Sequence, residues 1–312
     1  MGSFETPEDI IKEYENGLPG ATYDPVDMMK LLSELPQPFF GDAGNEIYGT
    51  GKGMLSLPFR AMQYFFPDFG KDEPQTTGDC VSHATRNAVD ITRAYEILYN
   101  KDKEVFLARG ATEPIYGCRG HGGQGMQCSQ AARFVNITGG FLVRENYTDI
   151  GLDLSSYNSK IGTNWGSRGI PDNVLSKCKE HQIGVVTTLN SIEQARDLLA
   201  NGYAFSVCSN YGFSSTRDKN GIAEPQGSWA HAMAWIGCDD THSVYNETLF
   251  LVQNSWGLWN SGPKLYEQPD GSFWIRQKVA EAMIGSGGAF AFSNFKGFKR
   301  KMVWTRIKEV FG

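Results

Sequence analysis

The chain has 312 residues, 40% of them hydrophobic and 21% charged, a composition that can bury a sizeable core and that excludes a disordered or fibrous protein. A formal net charge of -6 argues against a general nucleic-acid binder, which presents a basic face, and no run of about 18 apolar residues is present to span a membrane. The six cysteines, Cys80, Cys118, Cys128, Cys178, Cys208 and Cys238, include no CxxC pair, so no zinc knuckle or thioredoxin motif is supported, and no metal or organic cofactor is implied.

The start, "MGSFETPEDIIKEYENG", is acidic and has no apolar signal core. A cytoplasmic or virion-associated chain is therefore expected, with its cysteines kept as thiols. Residues 1–50 read as an N-terminal extension. Thr6 caps one predicted helix, with Glu8 and Asp9 in its first turn, and Asp24-Pro25 opens a second that Pro36 stops. Residues 51–312 then form the main domain. Its clearest helix begins at Cys80, where Val81, Ala84, Ala88, Ile91, Tyr95 and Leu98 define one apolar face and Asp79 is placed to act as N-cap.

A glycine-dense loop, "YGCRGHGG", leads into a helix that turns Ala131, Ala132 and Val135 inward, and "SIEQARDLLANG" is a further helix ended by Gly202. Past Gly202, short strands take over: "YAFSVCSN", "HAMAWIGCDD", "TLFLVQNSW" and "GSFWIRQKV". Helices followed by strands make an α+β fold. The basic stretch Lys296, Lys299, Arg300, Lys301, Arg306 and Lys308 reads as a solvated final element.

Cys80 lies in the first turn of its helix, where free N–H groups and the helix dipole favour a thiolate. A nucleophilic cysteine also needs a base and a group to orient it. Of the five histidines, His231 is the one followed by small residues at a strand end, where a ring can face a cleft. "LVQNSWG" ends an apolar strand with Asn254, suited to bond an imidazole, and with Trp256, suited to cover that bond from water.

In order, "QTTGDC", "GCRGHGG", "HAMAWIGCDD", "NSWG" and "GSFWIRQK" resemble the papain-like cysteine peptidases over residues 55 to 280. The resemblance implies a two-lobed fold: a helical lobe (about 75–180) with the central helix, an antiparallel barrel-like β lobe (about 181–295), and the active site in the cleft. It implies Cys80 as nucleophile, His231 as base and acid, Asn254 as the group that orients the ring, and Gln75 with the Cys80 N–H as oxyanion hole. It implies that Gly122, Gly123 and Trp256 line the substrate groove.

The sequence also departs from the family pattern. Gln75 stands one residue nearer the cysteine than usual, Val81 replaces an aromatic residue, and Thr77 replaces the half-cystine that would partner Cys118. Asp79 adds a negative charge that opposes a thiolate unless it caps the helix and points away. The extension does not have the pattern of the family's inhibitory pro-region; masking of the cleft and assembly onto a partner are both open to it.

The expected activity is thiol-dependent hydrolysis of a peptide or protein substrate. Two alternatives stand beside it: a cysteine amidase acting on cell-wall peptides, and an inactive structural component of a phage or viral particle built on a peptidase scaffold.

Overall fold

A computed structural model describes residues 6–40, 45–295 and 298. The basic residues Lys296, Lys299, Arg300, Lys301, Arg306 and Lys308 lie outside the described residues. The strands, in chain order, are β1 (Ala21–Thr22), β2 (Leu55–Ser56), β3 (Met126–Gln127), β4 (Asn146–Tyr147), β5 (Leu152–Asp153), β6 (Ile183–Thr188), β7 (Phe205–Phe213), β8 (Pro225–Asp239), β9 (Leu249–Gln253), β10 (Ser272–Arg276) and β11 (Ala289–Phe295).

The predicted helix at Cys80 forms as Cys80–Leu98, and Val81, Ala84, Ala88 and Ile91 are buried as their spacing predicts. Burial is not confined to one face, however. Every residue from Cys80 to Ala94 is buried, the polar ones included. Buried charges need partners, and Arg86 and Asp90 have them. Arg86 pairs with Glu73 at 2.7 Å, and Arg109 pairs with Asp90 at 2.9 Å and with Asp72. The chain thus wraps this helix on all sides and fixes the position of its first residue.

Against the helix lies a seven-stranded sheet in the order β10-β9-β8-β7-β11-β6, with β2 added to β8. Among the described residues the path is open: no pairing joins β6 to β10, so a closed barrel is not what the strands form. The α+β expectation holds in this form, a helix-rich first part and a strand-rich second. β8 is longer than the strand read from "HAMAWIGCDD"; it starts at Pro225 because the stretch before His231 also pairs with β7. After β10 the chain forms a helix, Gln277–Gly285, which takes in the last three residues of the segment "GSFWIRQKV" read as strand.

Both predicted helices of the extension form, as Pro7–Glu15, with Thr6 and Asp9 in a capping box, and Pro25–Glu34, with Asp24 accepting from the N–H of Val26. They are packed on the body: Ile10, Tyr14, Leu31 and Phe40 are buried in the core. Between them β1 adds to β3 in parallel, Ala21 opposite Met126. Gly125 precedes that pair in a left-handed conformation, φ +76, with the Pro19 carbonyl where a Cβ would stand, so only glycine lets this segment, the N-terminal arm, lie so close.

One expectation fails outright. Cys128 and Cys208 are not thiols but a disulfide, Cα atoms 6.4 Å apart across a separation of 80 residues. Cys128 opens the helix Cys128–Arg133 and Cys208 stands on β7, so the bond ties the helical part to the sheet. Spacing along the chain carries no trace of such a meeting; the fold creates it. Cys80, Cys118, Cys178 and Cys238 are free, so Cys118 lacks a mate as the sequence implied. No helix among the described residues is long and apolar enough to cross a membrane.

Candidate active site

The register of the sheet assembles the site. His231 lies opposite Ser209 on β7, and β9 pairs with β8 so that Gln253 faces Ala234. Asn254, the next residue, leaves the strand beside the ring. His231 Nε2 donates to Asn254 Oδ1 at 2.8 Å, and the Ser255 backbone N–H donates to the same oxygen at 2.7 Å, which fixes the way the amide faces. The proton therefore sits on Nε2. Nδ1, buried and without a hydrogen-bond partner, keeps its lone pair.

Trp256 covers this pair, its ring centroid 4.7 Å from the imidazole, as the sequence predicts. Trp229 and Trp259 pack edge-on against Trp256 at 4.8 and 5.5 Å. Nothing in the sequence marked Trp229 or Trp259 as part of the site; both join it only because Trp256 meets them in space.

Cys80 is fully buried. The groups close enough to act on its thiol are the hydroxyl of Tyr14, the backbone N–H of Ala232, the residue after His231, and that of Val81 in its own helix. The nucleophile and base expected from the sequence are thus brought to the same spot from the helix and from β8. Burial pushes the thiol up to about 12 and the Tyr14 and amide contacts only partly oppose it. Burial likewise pushes His231 down to about 4, against the hydrogen bond it donates to Asn254. In this closed form both groups are neutral at pH 7.

Tyr14, unmarked in the sequence, is the reason the site is closed. Its ring meets His231 edge-on at 4.7 Å and Trp256 at 5.4 Å, and its hydroxyl accepts from Gln75 Nε2 at 3.3 Å. Gln75 is itself anchored: Nε2 donates to Thr77 O at 2.8 Å, Oε1 accepts from Ser255 Oγ, and its N–H donates to Ser255 O at 2.8 Å. The short spacing to Cys80 therefore still delivers the amide to the site. Beyond Tyr14, the arm bonds both sides of the groove. Gly20 N–H donates to Ala230 O at 3.0 Å and Met126 N–H donates to Gly20 O at 2.9 Å.

Gly122 and Gly123 are exposed and lie outside this pairing; the backbone that meets the arm is Gly125 to Gln127. Asp79 takes the N-cap position but its side chain makes no cap bond. Among the described residues no cluster of three or more histidines, cysteines or carboxylates could hold a metal ion.

No family model matches the sequence, and no curated protein matches it. Solved structures do. The digestive procathepsin L2 proteinase from Tenebrio molitor larval midgut superposes with a TM-score of 0.55 at 14% identity, over 91% of this chain and 80% of that one. A structure from work on the mite allergens Blo t 1 and Der p 1 does so with a TM-score of 0.50 at 12% identity, over 91% and 81%. Xylellain, a cysteine protease from Xylella fastidiosa, gives 0.49 at 16% identity, over 88% and 91%. At these identities the likeness is one of fold.

Proposed function

We propose that this chain, which has the papain-like fold of cysteine proteases, is a thiol peptidase closed by its own N-terminal arm. The observation that carries the reading is the bare, buried Nδ1 of an imidazole held by Asn254, with the buried Cys80 thiol within reach of the very next backbone amide. Once the arm leaves and water returns, the proton of Cys80 passes to Nδ1, giving a thiolate–imidazolium pair. The thiolate attacks the peptide carbonyl. Its oxygen takes the negative charge where the Tyr14 hydroxyl now lies, against Gln75 Nε2, each such donor contributing about 3 kcal/mol. His231 then protonates the leaving amine, and water attacks the thioester to release the acid and restore the thiol.

Roles follow from placement. Asn254 holds the ring in the tautomer the proton transfer needs, and Trp256 keeps water off that bond. The arm runs parallel to β3, so the substrate backbone would take the place of β1 along Gly125 to Gln127.

The test is cleavage of a mixed peptide library under reducing conditions by the full chain with Tyr14→Gly. Cys80→Ala in that background abolishes turnover with the fold intact, and Asn254→Ala loses less than His231→Ala. No cleavage, together with a Cys80 that alkylates freely, would sink the peptidase reading; a loss of turbidity in cell-wall suspensions would place the activity on cell-wall peptides instead.

A further inference from the structure

A second glutamine holds the turn that leads from Gln75 to Cys80. Gln124 comes from the glycine-dense loop and is buried, as are Thr77 and Gly78 of the turn. Gly78 N–H donates to its side-chain oxygen at 2.5 Å, and Thr77 Oγ1 donates to the same atom at 2.8 Å. A backbone N–H only donates, so the atom that meets the turn is Oε1 and not the amide nitrogen. Tyr116 Oη also reaches it, at 3.3 Å. That ring is fixed by Arg119, whose guanidinium lies 3.7 Å from its centre and donates to Tyr116 O at 2.8 Å. The turn and the loop leave no spare room between them: a Cβ on Gly78 would stand 2.7 Å from Gln124 Oε1 and 2.9 Å from Gly125 N.

The turn in its turn fixes Gln75. Thr77 O accepts from Gln75 Nε2 at 2.8 Å and from the Asp79 N–H at 2.9 Å. A side-chain amide nitrogen has two protons. One goes to Thr77 O, and the other goes to the Tyr14 hydroxyl, where the reaction proposed above places the oxyanion. A donor to an oxyanion works by standing in place before the charge forms. Ser255 Oγ anchors the Gln75 amide at Oε1 and Thr77 O anchors it at Nε2. The second anchor depends on Gln124, because the Thr77 hydroxyl and the N–H that follows Thr77 both end on one oxygen of Gln124.

We propose that Gln124 is a positioning residue that sets, through Thr77, where the Gln75 donor points. It also ties that donor to Gly125, against which the backbone of the arm now lies. The effect on turnover rests on the reading of Cys80 as a nucleophile; the placement of Gln75 does not. The hydrogen bonds of Gln124 Oε1 go to the turn and to Tyr116 rather than to Cys80 or His231. Its loss therefore slows acyl transfer, which forms an oxyanion, and spares alkylation of Cys80, which forms none.

The experiment compares Gln124→Leu, Thr77→Val and Thr77→Ser in the full chain with Tyr14→Gly. The first readout is the ¹⁵N–¹H NMR signal of the Gln75 side-chain amide, assigned with Gln75→Ala. Gln124→Leu speeds exchange with water of the proton held by Thr77 O by about ten-fold, the worth of one hydrogen bond. Thr77→Val does the same by less, and Thr77→Ser, which keeps the hydroxyl, by less again. The second readout is turnover of a peptide that the Tyr14→Gly chain cleaves. Gln124→Leu lowers kcat about thirty-fold, short of the hundred-fold or more for losing the donor outright, and leaves KM nearly where it was. Iodoacetamide alkylates Cys80 at the same rate as before. A Gln75 proton that Gln124→Leu leaves unchanged overturns the proposal, and so does an alkylation rate that falls with kcat, the sign of a general disturbance. If Gln124→Leu does not fold, Thr77→Val against Thr77→Ser decides by the same proton. If no peptide is cleaved, the peptidase reading fails while the Gln75 proton still tests the placement, so the two failures are distinct.

Discussion

Replacing Tyr14 with glycine is the sharpest perturbation of the closed state. The ring is fully buried against His231 and Trp256, and its hydroxyl meets Gln75 and Cys80. Losing a buried aromatic side chain costs about 3 kcal/mol, and at 1.36 kcal/mol per decade that shifts the balance of closed and open chain roughly 150-fold. The assay is the alkylation rate of Cys80 by iodoacetamide, read by peptide mass spectrometry on the folded full chain under reducing conditions. The rate rises by about two orders of magnitude if the arm gates the thiol. The other free cysteines, Cys118, Cys178 and Cys238, keep their rates, which controls for general loosening. A Cys80 rate unchanged in Tyr14→Gly, with the fold intact, would refute the masking argument, because the residue that seals the thiol would have been removed without effect.

Arg133 ties the second arm helix down through Asp27 at 2.6 Å and Glu34 at 2.8 Å. Arg133→Ala therefore speeds Cys80 alkylation too, by roughly five-fold at low salt and less at high salt, as pairs near the surface contribute about 1 kcal/mol. His231 is held near pKa 4 by burial, below its free value, so the closed form carries fewer protons there than an open one. The stability it contributes is present above about pH 6.5 and is lost as pH falls towards 4, by up to about 3 kcal/mol. Thermal midpoints across that window fall less for His231→Gln; parallel curves would count against it. Replacing Cys128 and Cys208 together by serine opens a loop of 80 residues. On the chain-entropy account this costs about 4.5 kcal/mol and lowers the melting temperature by about 5–7 °C. Non-reducing peptide mass spectrometry checks the bond itself.

Much of this was legible in the residues. The helix at Cys80 declared itself by apolar spacing, the arm helices by Thr6 and Asp24-Pro25, and the α+β order by the change of period past Gly202. Cys80, His231 and Asn254 were legible because a cysteine at a helix start and a histidine and an amide at strand ends leave local signals. Those signals are short-range: a cap, a period, a turn. Three features have none. Tyr14 looks like any aromatic on an amphipathic helix until the arm is laid across His231. Cys128 and Cys208 stand 80 residues apart and meet only because a helix and β7 pack together. Asp79 had the place of a cap in the sequence, yet its carboxylate makes no cap bond and accepts instead from Tyr157, 78 residues away. Local sequence determined which groups stand where a site could form; which of them are covered, cross-linked or hydrogen-bonded was decided by residues distant in the chain, because burial and pairing depend on what the fold brings near.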